Sequence, residues 1–234
     1  MKQSTRPLET VKVLIALMIT IGCIVHYLNE RDTRVAVPGI FSTQGTRPSP
    51  NAPALPRVTA DSVFSKYGNG KNGLHQAAES GQLDIVDIAL EQGIPVFSTD
   101  AGGWTALHYA AAKGHIPIVK FLLEKGAKID ALDSDGATPL ERAAYADERQ
   151  MISFLVKSGA DLKTADKYGI TLLQLSVRKN NIEFAETLLK NGVNVNTATF
   201  RGWTALHYAA FEGRTEAAAF LLAKGADVTA RNES

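Results

Sequence analysis

Trp104-Thr105-Ala106-Leu107-His108-Tyr109-Ala110-Ala111 recurs unchanged at Trp203–Ala210. The copies begin 99 residues apart, which is three times 33. Steps of 33 from Leu107 land on Leu74, Leu140, Leu173 and Leu206. The same steps from Gly126 land on Gly93, Gly159, Gly192 and Gly225, and from Gly136 on Gly70, Gly103, Gly169 and Gly202. Five tandem units therefore run from about Lys71 to the C-terminus, near 71–103, 104–136, 137–169, 170–202 and 203–234. A fixed period of this size specifies a stacked repeat array before local propensity is consulted.

One unit shows why. Thr105 is a good N-cap for a helix from Ala106 to Lys113, with Leu107, Ala110 and Ala111 at helical spacing on one face. The alanine pair keeps that face thin, so a neighbouring helix can come close. Gly114 ends the helix, and the equivalent sites are Gly81, Asp147, Asn180 and Gly213, all residue types that tolerate a left-handed backbone. A second helix is predicted from Ile116 to Lys125, with Pro117 in its first turn, an apolar stripe of Ile118, Val119, Leu122 and Leu123, and Gly126 as its C-cap. Ala127 to Gly136 reads as an extended segment and a tight turn. A single hairpin cannot bury both apolar faces; a stack can, and Leu123 is expected at the interface, so that Leu123→Asp would disrupt two neighbouring units.

The pattern resembles the ankyrin repeat. Thr105-Ala106-Leu107-His108, Thr138-Pro139-Leu140 and Thr204-Ala205-Leu206-His207 stand where that family has T-P-L-H; Lys125-Gly126-Ala127, Ser158-Gly159-Ala160-Asp161 and Lys224-Gly225-Ala226-Asp227-Val228 match its G-A-D-V stretch. The implied fold is all-α, an ankyrin-repeat solenoid of helix-turn-helix units with extended turn tips. The first unit departs with Asn72-Gly73, the third with Glu141 in place of histidine, and the fourth with Thr171-Leu172-Leu173-Gln174 and Ser176-Val177. The fourth is expected to be the least regular. No separate cap follows Asp227, so either the fifth unit turns its Ala217–Ala219 face outward or that end meets something.

The repeat domain is assigned to 61–234, with Asp61–Tyr67 as a short capping element on the first unit. Residues 31–60 read as a semi-extended spacer, with Pro38, Pro48, Pro50, Pro53 and Pro56 separated by Ser, Thr, Ala and Gly, and are not expected to pack. Residues 1–30 hold Val13–Leu28 (VLIALMITIGCIVHYL), preceded by Lys2, Arg6 and Lys12. Three readings compete. A helical membrane anchor covers about 24 Å, short of a roughly 30 Å core unless Val11 and a snorkelling Lys12 extend it. A cleaved secretory signal fits the basic start, but no good cleavage site follows. A lipoprotein signal would use Thr20-Ile21-Gly22-Cys23, with Cys23 lipidated. The anchor is favoured, giving an N-terminal hydrophobic helix in the membrane over 13–28. The excess of basic residues before it places the repeats on the periplasmic or extracytoplasmic side, as expected of a bacterial exported protein.

The net charge is +1, with a pI near 7.8 and acids and bases interspersed, so there is no basic field to suggest nucleic acid. Cys23 stands alone, which excludes an internal disulfide or a cysteine zinc cluster in a monomer. His75, His108 and His207 fall on the repeat period and read as structural; His115 reads as a solvated helix start. Asp130, Asp133 and Asp135 lack the spacing of a calcium loop. No phosphate loop, dinucleotide fingerprint, nucleophile elbow or metalloprotease motif occurs. The chain therefore reads as non-enzymatic, with no catalytic residue, cofactor, metal or small-molecule substrate.

What remains is surface recognition. The resemblance implies that turn tips and first helices form a concave face where protein partners dock. Mapped by period, Ala101, Ser134, Asp135, Lys167, Tyr168, Phe200 and Arg201 lie at tips. Trp104, Ala137, Ile170 and Trp203 lie just inside, and Lys113, Tyr145, Arg178, Lys179, Phe211 and Glu212 on the helices. Aromatic and arginine side chains dominate interface energy. The expected partner-binding set is Trp104, Lys167, Tyr168, Arg178, Phe200, Arg201, Trp203 and Phe211. The expected function is a membrane-displayed protein-protein interaction module. The alternatives are an immunity or inhibitor protein that occludes a toxic or lytic enzyme in the periplasm, and a structural scaffold in envelope stress.

Overall fold

A threonine or asparagine side chain starts each first helix and a left-handed residue ends it, and the whole array follows from that alternation. The computed structural model describes residues 70–233. Val13–Leu28, Cys23, the spacer and Asp61–Tyr67 lie outside the described residues. Ten helices lie within them: α1 Gly73–Ser80, α2 Leu83–Glu91, α3 Ala106–Ala112, α4 Ile116–Glu124, α5 Pro139–Ala146, α6 Arg149–Lys157, α7 Leu172–Arg178, α8 Ile182–Lys190, α9 Ala205–Phe211 and α10 Thr215–Ala223. They form five antiparallel pairs; the first helices α1, α3, α5, α7 and α9 stack in order, each packed on its own second helix. None is long and apolar enough to cross a membrane. Instead of strands, the described residues hold isolated bridges at the turn bases, such as Thr99 with Thr105.

The helix starts are built from side chains. Thr105 Oγ1 accepts the His108 N–H while His108 Nδ1 accepts the Thr105 N–H at 3.1 Å, closing a reciprocal cap. Asn72 with His75 and Thr138 with Glu141 close the same box, so the first unit's departure from threonine costs it nothing visible. The far ring nitrogen then crosses to the next tip: His75 Nε2 lies 2.9 Å from Ser98 O, and His108 Nε2 lies 3.1 Å from Ala137 O. Both rings are fully buried, and burial holds their pKa values below the ordinary histidine value.

The helix ends behave as the sequence requires. Gly81, Gly114, Asp147, Asn180 and Gly213 all have positive φ, from 51° to 77°. Asp147 and Asn180 occupy this region without glycine's freedom, as residues with short polar side chains can. The tips are tied to one another by backbone bonds: Ser134 N–H to Gly102 O (2.9 Å), Lys167 N–H to Asp135 O (2.7 Å) and Phe200 N–H to Tyr168 O (3.3 Å). A Cβ on Gly103 would fall 2.6 Å from Ser134 N, so this approach needs glycine.

The core runs the length of the stack. Leu74, Leu107, Leu140 and Leu173 are fully buried, as are Ile118, Leu122, Met151, Leu155, Leu188 and Leu221. Each such leucine contributes roughly 1.5–3 kcal/mol. Two expectations need correction, at Leu123 and at His115. Leu122 is the fully buried residue of its pair, and Leu123 is only partly covered, because the stripe of α4 is centred one residue earlier. In the fourth unit Ser176 Oγ donates to Leu173 O at 2.7 Å and Val177 is fully buried, so neither substitution distorts α7; the unit departs from the others at Thr171, whose Oγ1 is buried without a hydrogen bond, and at Thr199, which stands at the position of Asp100, Asp133 and Asp166. His115 is half-buried rather than free in solvent; its Nε2 lies 3.1 Å from Glu79 O of the preceding unit.

The C-terminal end of the stack carries the sequence of an internal unit. Leu206 and Ala210, 99 residues beyond the buried Leu107 and Ala111, are half-buried and exposed, and Leu222 is 46% exposed. Of the Ala217–Ala219 face, one of the two alternatives for this end, Ala217 is fully buried, Ala218 is half-buried and Ala219 is exposed, so the face does not turn outward as a whole.

Candidate protein-docking groove

Each turn tip is organised by one side chain at its base. Asp100 Oδ1 accepts the N–H groups of Gly102 and Trp104, both at 2.9 Å. Asp133 Oδ1 accepts those of Asp135 (2.9 Å) and Ala137 (3.0 Å), and Asp166 Oδ1 those of Tyr168 and Ile170, both at 2.9 Å. The second carboxylate oxygen is closed by a neighbour in every case. Tyr109 OH donates to Asp100 at 2.6 Å, Arg142 Nε to Asp133 at 2.6 Å, and Tyr145 OH to Asp166 at 2.8 Å. Burial, with the carboxylate acceptor, pushes the Tyr109 and Tyr145 hydroxyls far above the ordinary tyrosine value.

The fourth tip breaks this rule. Thr199 occupies the aspartate position. Its Oγ1 still accepts the Trp203 N–H at 3.1 Å, but it has no second oxygen to offer. Tyr208, the 99-residue counterpart of Tyr109, therefore has no carboxylate, and its hydroxyl makes no hydrogen bond among the described residues. Arg178 lies over the Tyr208 ring, 5.5 Å from its centroid, and donates to Glu212 at 3.1 Å. Phe211, at the position of Ala112, stands edge-on to Trp203 with centroids 5.5 Å apart.

These changes open a groove of about 660 Å³ lined by Tyr168, Ile170, Arg178, Thr199, Phe200, Arg201, Trp203, Tyr208, Phe211 and Glu212. Phe200 and Phe211 are each 76% exposed and Tyr168 is 56% exposed. Large aromatic rings left this open at a groove rim are uncommon unless something covers them. The lining is held on rigid elements, with α7 and α9 below and two hydrogen-bonded tips above.

Of the eight residues expected at a partner surface, six meet here: Tyr168, Arg178, Phe200, Arg201, Trp203 and Phe211. Lys167 stands outside the lining, paired with Asp135 at 2.6 Å with its ammonium 5.2 Å from the Tyr168 centroid. That pairing raises the Lys167 pKa and lowers that of Asp135. Trp104 lies elsewhere. It packs on Tyr109 (centroids 4.9 Å apart) under the Arg142 guanidinium (4.8 Å), a cation–π stack that occupies its face. Trp203 makes the same contact to Tyr208 at 5.1 Å, but no arginine covers it, because no following unit lies beyond it among the described residues. Tyr208 was missed by the sequence reading because it sits inside the repeated octapeptide. Comparing position 199 with 100, 133 and 166 would have found it.

Asp133 and Asp135 do not form an open cation site; both are held by Arg142, whose guanidinium reaches Asp135 at 2.7 Å. Among the described residues no group of three His, Cys, Asp or Glu side chains could hold a metal ion.

Comparison with known proteins agrees with this geometry. No curated protein matches the chain. The family model described as ankyrin repeats matches in three overlapping copies, over residues 57–133, 74–166 and 140–232. These stretches together span about three quarters of the sequence, and the chain belongs to the ankyrin-repeat family.

Proposed function

We propose that this chain is a non-catalytic docking protein of five ankyrin units that binds a protein partner in the groove between the last two tips. Its N-terminal segment, 13–28, anchors it in a membrane with the repeats on the extracytoplasmic side. Ankyrin repeats are protein-interaction modules, and that supports the class of function. One observation carries the location: where Thr199 replaces the tip aspartate, Tyr208 is left unbonded and Phe200 and Phe211 stay open. At the tips of Asp100, Asp133 and Asp166 the carboxylates are satisfied internally. The anchor rests on the uncharged apolar run and its basic flank.

The test is affinity purification of crosslinked full-length protein from membranes, followed by binding of the recovered partner to wild type and to Phe200→Ala/Arg201→Ala. Both side chains are exposed, so the variant keeps its fold. A loss of about tenfold or more is expected if these aromatic and arginine side chains are hot-spot residues. Unchanged affinity sinks the groove, and recovery of the protein only from the soluble fraction sinks the anchor.

A further inference from the structure

The polar atoms of the groove are one-sided. The Tyr208 hydroxyl, the Trp203 indole N–H and the Arg201 guanidinium make no hydrogen bond or ion pair among the described residues. All three are donors. The side-chain acceptors beside them are already used. Glu212 is held by Arg178 at 3.1 Å and approached by Arg214 at 3.7 Å. Thr199 Oγ1 takes the Trp203 N–H, and both oxygens of Asp166 take the bonds described above. Around these donors stand Phe200, Phe211, Tyr168 and Ile170.

We infer that the groove takes an extended protein segment in which an Asp or Glu side chain neighbours a bulky apolar one. The apolar side chain seats between Phe200 and Phe211, against the Trp203 ring. The carboxylate reaches the Arg201 guanidinium and the Tyr208 hydroxyl, two charge-assisted bonds that a basic or neutral residue cannot make. Arg178 is spent on Glu212, so Arg201 supplies the uncompensated positive charge and sets the preference for acid. This inference rests on the groove being the docking site.

The experiment selects phage-displayed random twelve-residue peptides on the full-length chain in detergent, after counter-selection on the Phe200→Ala/Phe211→Ala chain. Clones are expected to carry Asp or Glu within two residues of Phe, Leu, Ile or Trp. Arg201→Glu should weaken those peptides about tenfold or more. Lysine in place of the peptide acid should recover binding to Arg201→Glu. Tyr208→Phe should weaken them severalfold with unchanged circular dichroism. Groove-dependent clones without an acid, indifferent to Arg201→Glu, would overturn this inference and leave the docking site standing. No groove-dependent clones at all would contradict both.

Discussion

Tyr109 donates its hydroxyl to Asp100 Oδ2 at 2.6 Å, and the pair locks a turn tip onto the helix beneath it. The identical octapeptide 99 residues later lacks the partner, since Thr199 stands where the aspartate would be. Two copies of one motif thus have different jobs. The first is closed scaffold; the second is scaffold on one side and an unfilled surface on the other.

Thr199→Asp should therefore repair the scaffold at the expense of the groove. The new carboxylate would accept the Trp203 N–H as Asp100 accepts that of Trp104, and would take the Tyr208 hydroxyl. The expected gain is about 1 kcal/mol, the net worth of one hydrogen bond, read from urea unfolding. Partner binding should fall in the same variant, because Tyr208 would no longer be available.

The two octapeptides also differ in load. Leu107 is fully buried between neighbouring units, while Leu206 faces the end of the stack. Leu107→Ala should cost about 2–5 kcal/mol, within the usual range for a buried leucine, and Leu206→Ala clearly less. Equal losses in urea unfolding would contradict a stack stabilised by its interfaces.

Glu141 stands where Gln174 stands one unit later. Gln174 accepts the Thr171 N–H at 2.7 Å and donates to Thr197 O and Trp203 O, both at 3.0 Å. Glu141 accepts the Thr138 N–H at 2.7 Å, but its buried Oε1 makes no well-formed hydrogen bond and has only the Thr164 hydroxyl to interact with. Burial raises its pKa above the usual carboxylate value. Glu141→Gln should stabilise the protein at pH 7 by about 1–3 kcal/mol, the penalty of an unsatisfied buried acceptor. With the folded pKa raised, the wild-type side chain contributes stability that is present at low pH and lost as pH rises through the folded value. The gain from Glu141→Gln should accordingly shrink on acidification.

His75 and His108 have the opposite sign. Burial lowers their folded pKa values below 6.5, so below about that pH the unfolded chain binds more protons than the folded one. Stability should fall as pH drops from about 7 toward 5, with each ring contributing up to about 1.4 kcal/mol per pH unit. His75→Gln/His108→Gln should flatten that slope without large loss at pH 7, since Gln174 shows that glutamine spans the same gap. Chemical unfolding at several pH values reads both effects.

The array itself was legible in residues alone. Four of the five period-33 leucines, Leu74 to Leu173, form the buried column, and Asp147 and Asn180 take up left-handed conformations beside the glycines. The helix boundaries lie within one residue of those expected because the caps are local chemistry: Ala106–Ala112 against Ala106–Lys113, and Ile116–Glu124 against Ile116–Lys125. What periodicity could not show was which neighbour occupies a side chain. Trp104 and Trp203 open identical octapeptides, yet Arg142 covers one and, among the described residues, no arginine covers the other. His115 looked like a free helix start until the preceding unit offered Glu79 O. The fourth unit departs from the pattern at Thr199 rather than at Ser176, whose hydroxyl bonds within its own helix and leaves the packing intact. Contacts between units are encoded at a distance of about one period, where composition at one position says little about its partner.

The most direct test places a photo-crosslinking amino acid at single sites of the full-length protein in cells. Phe200 and Phe211 report on the groove, and Phe97, 71% exposed and away from it, is the control. A groove that holds a protein partner predicts one discrete crosslinked species shared by positions 200 and 211, absent at 97 and lost with Arg201→Glu. Crosslinks of equal yield at all three sites, or a discrete species only at 97, would contradict it.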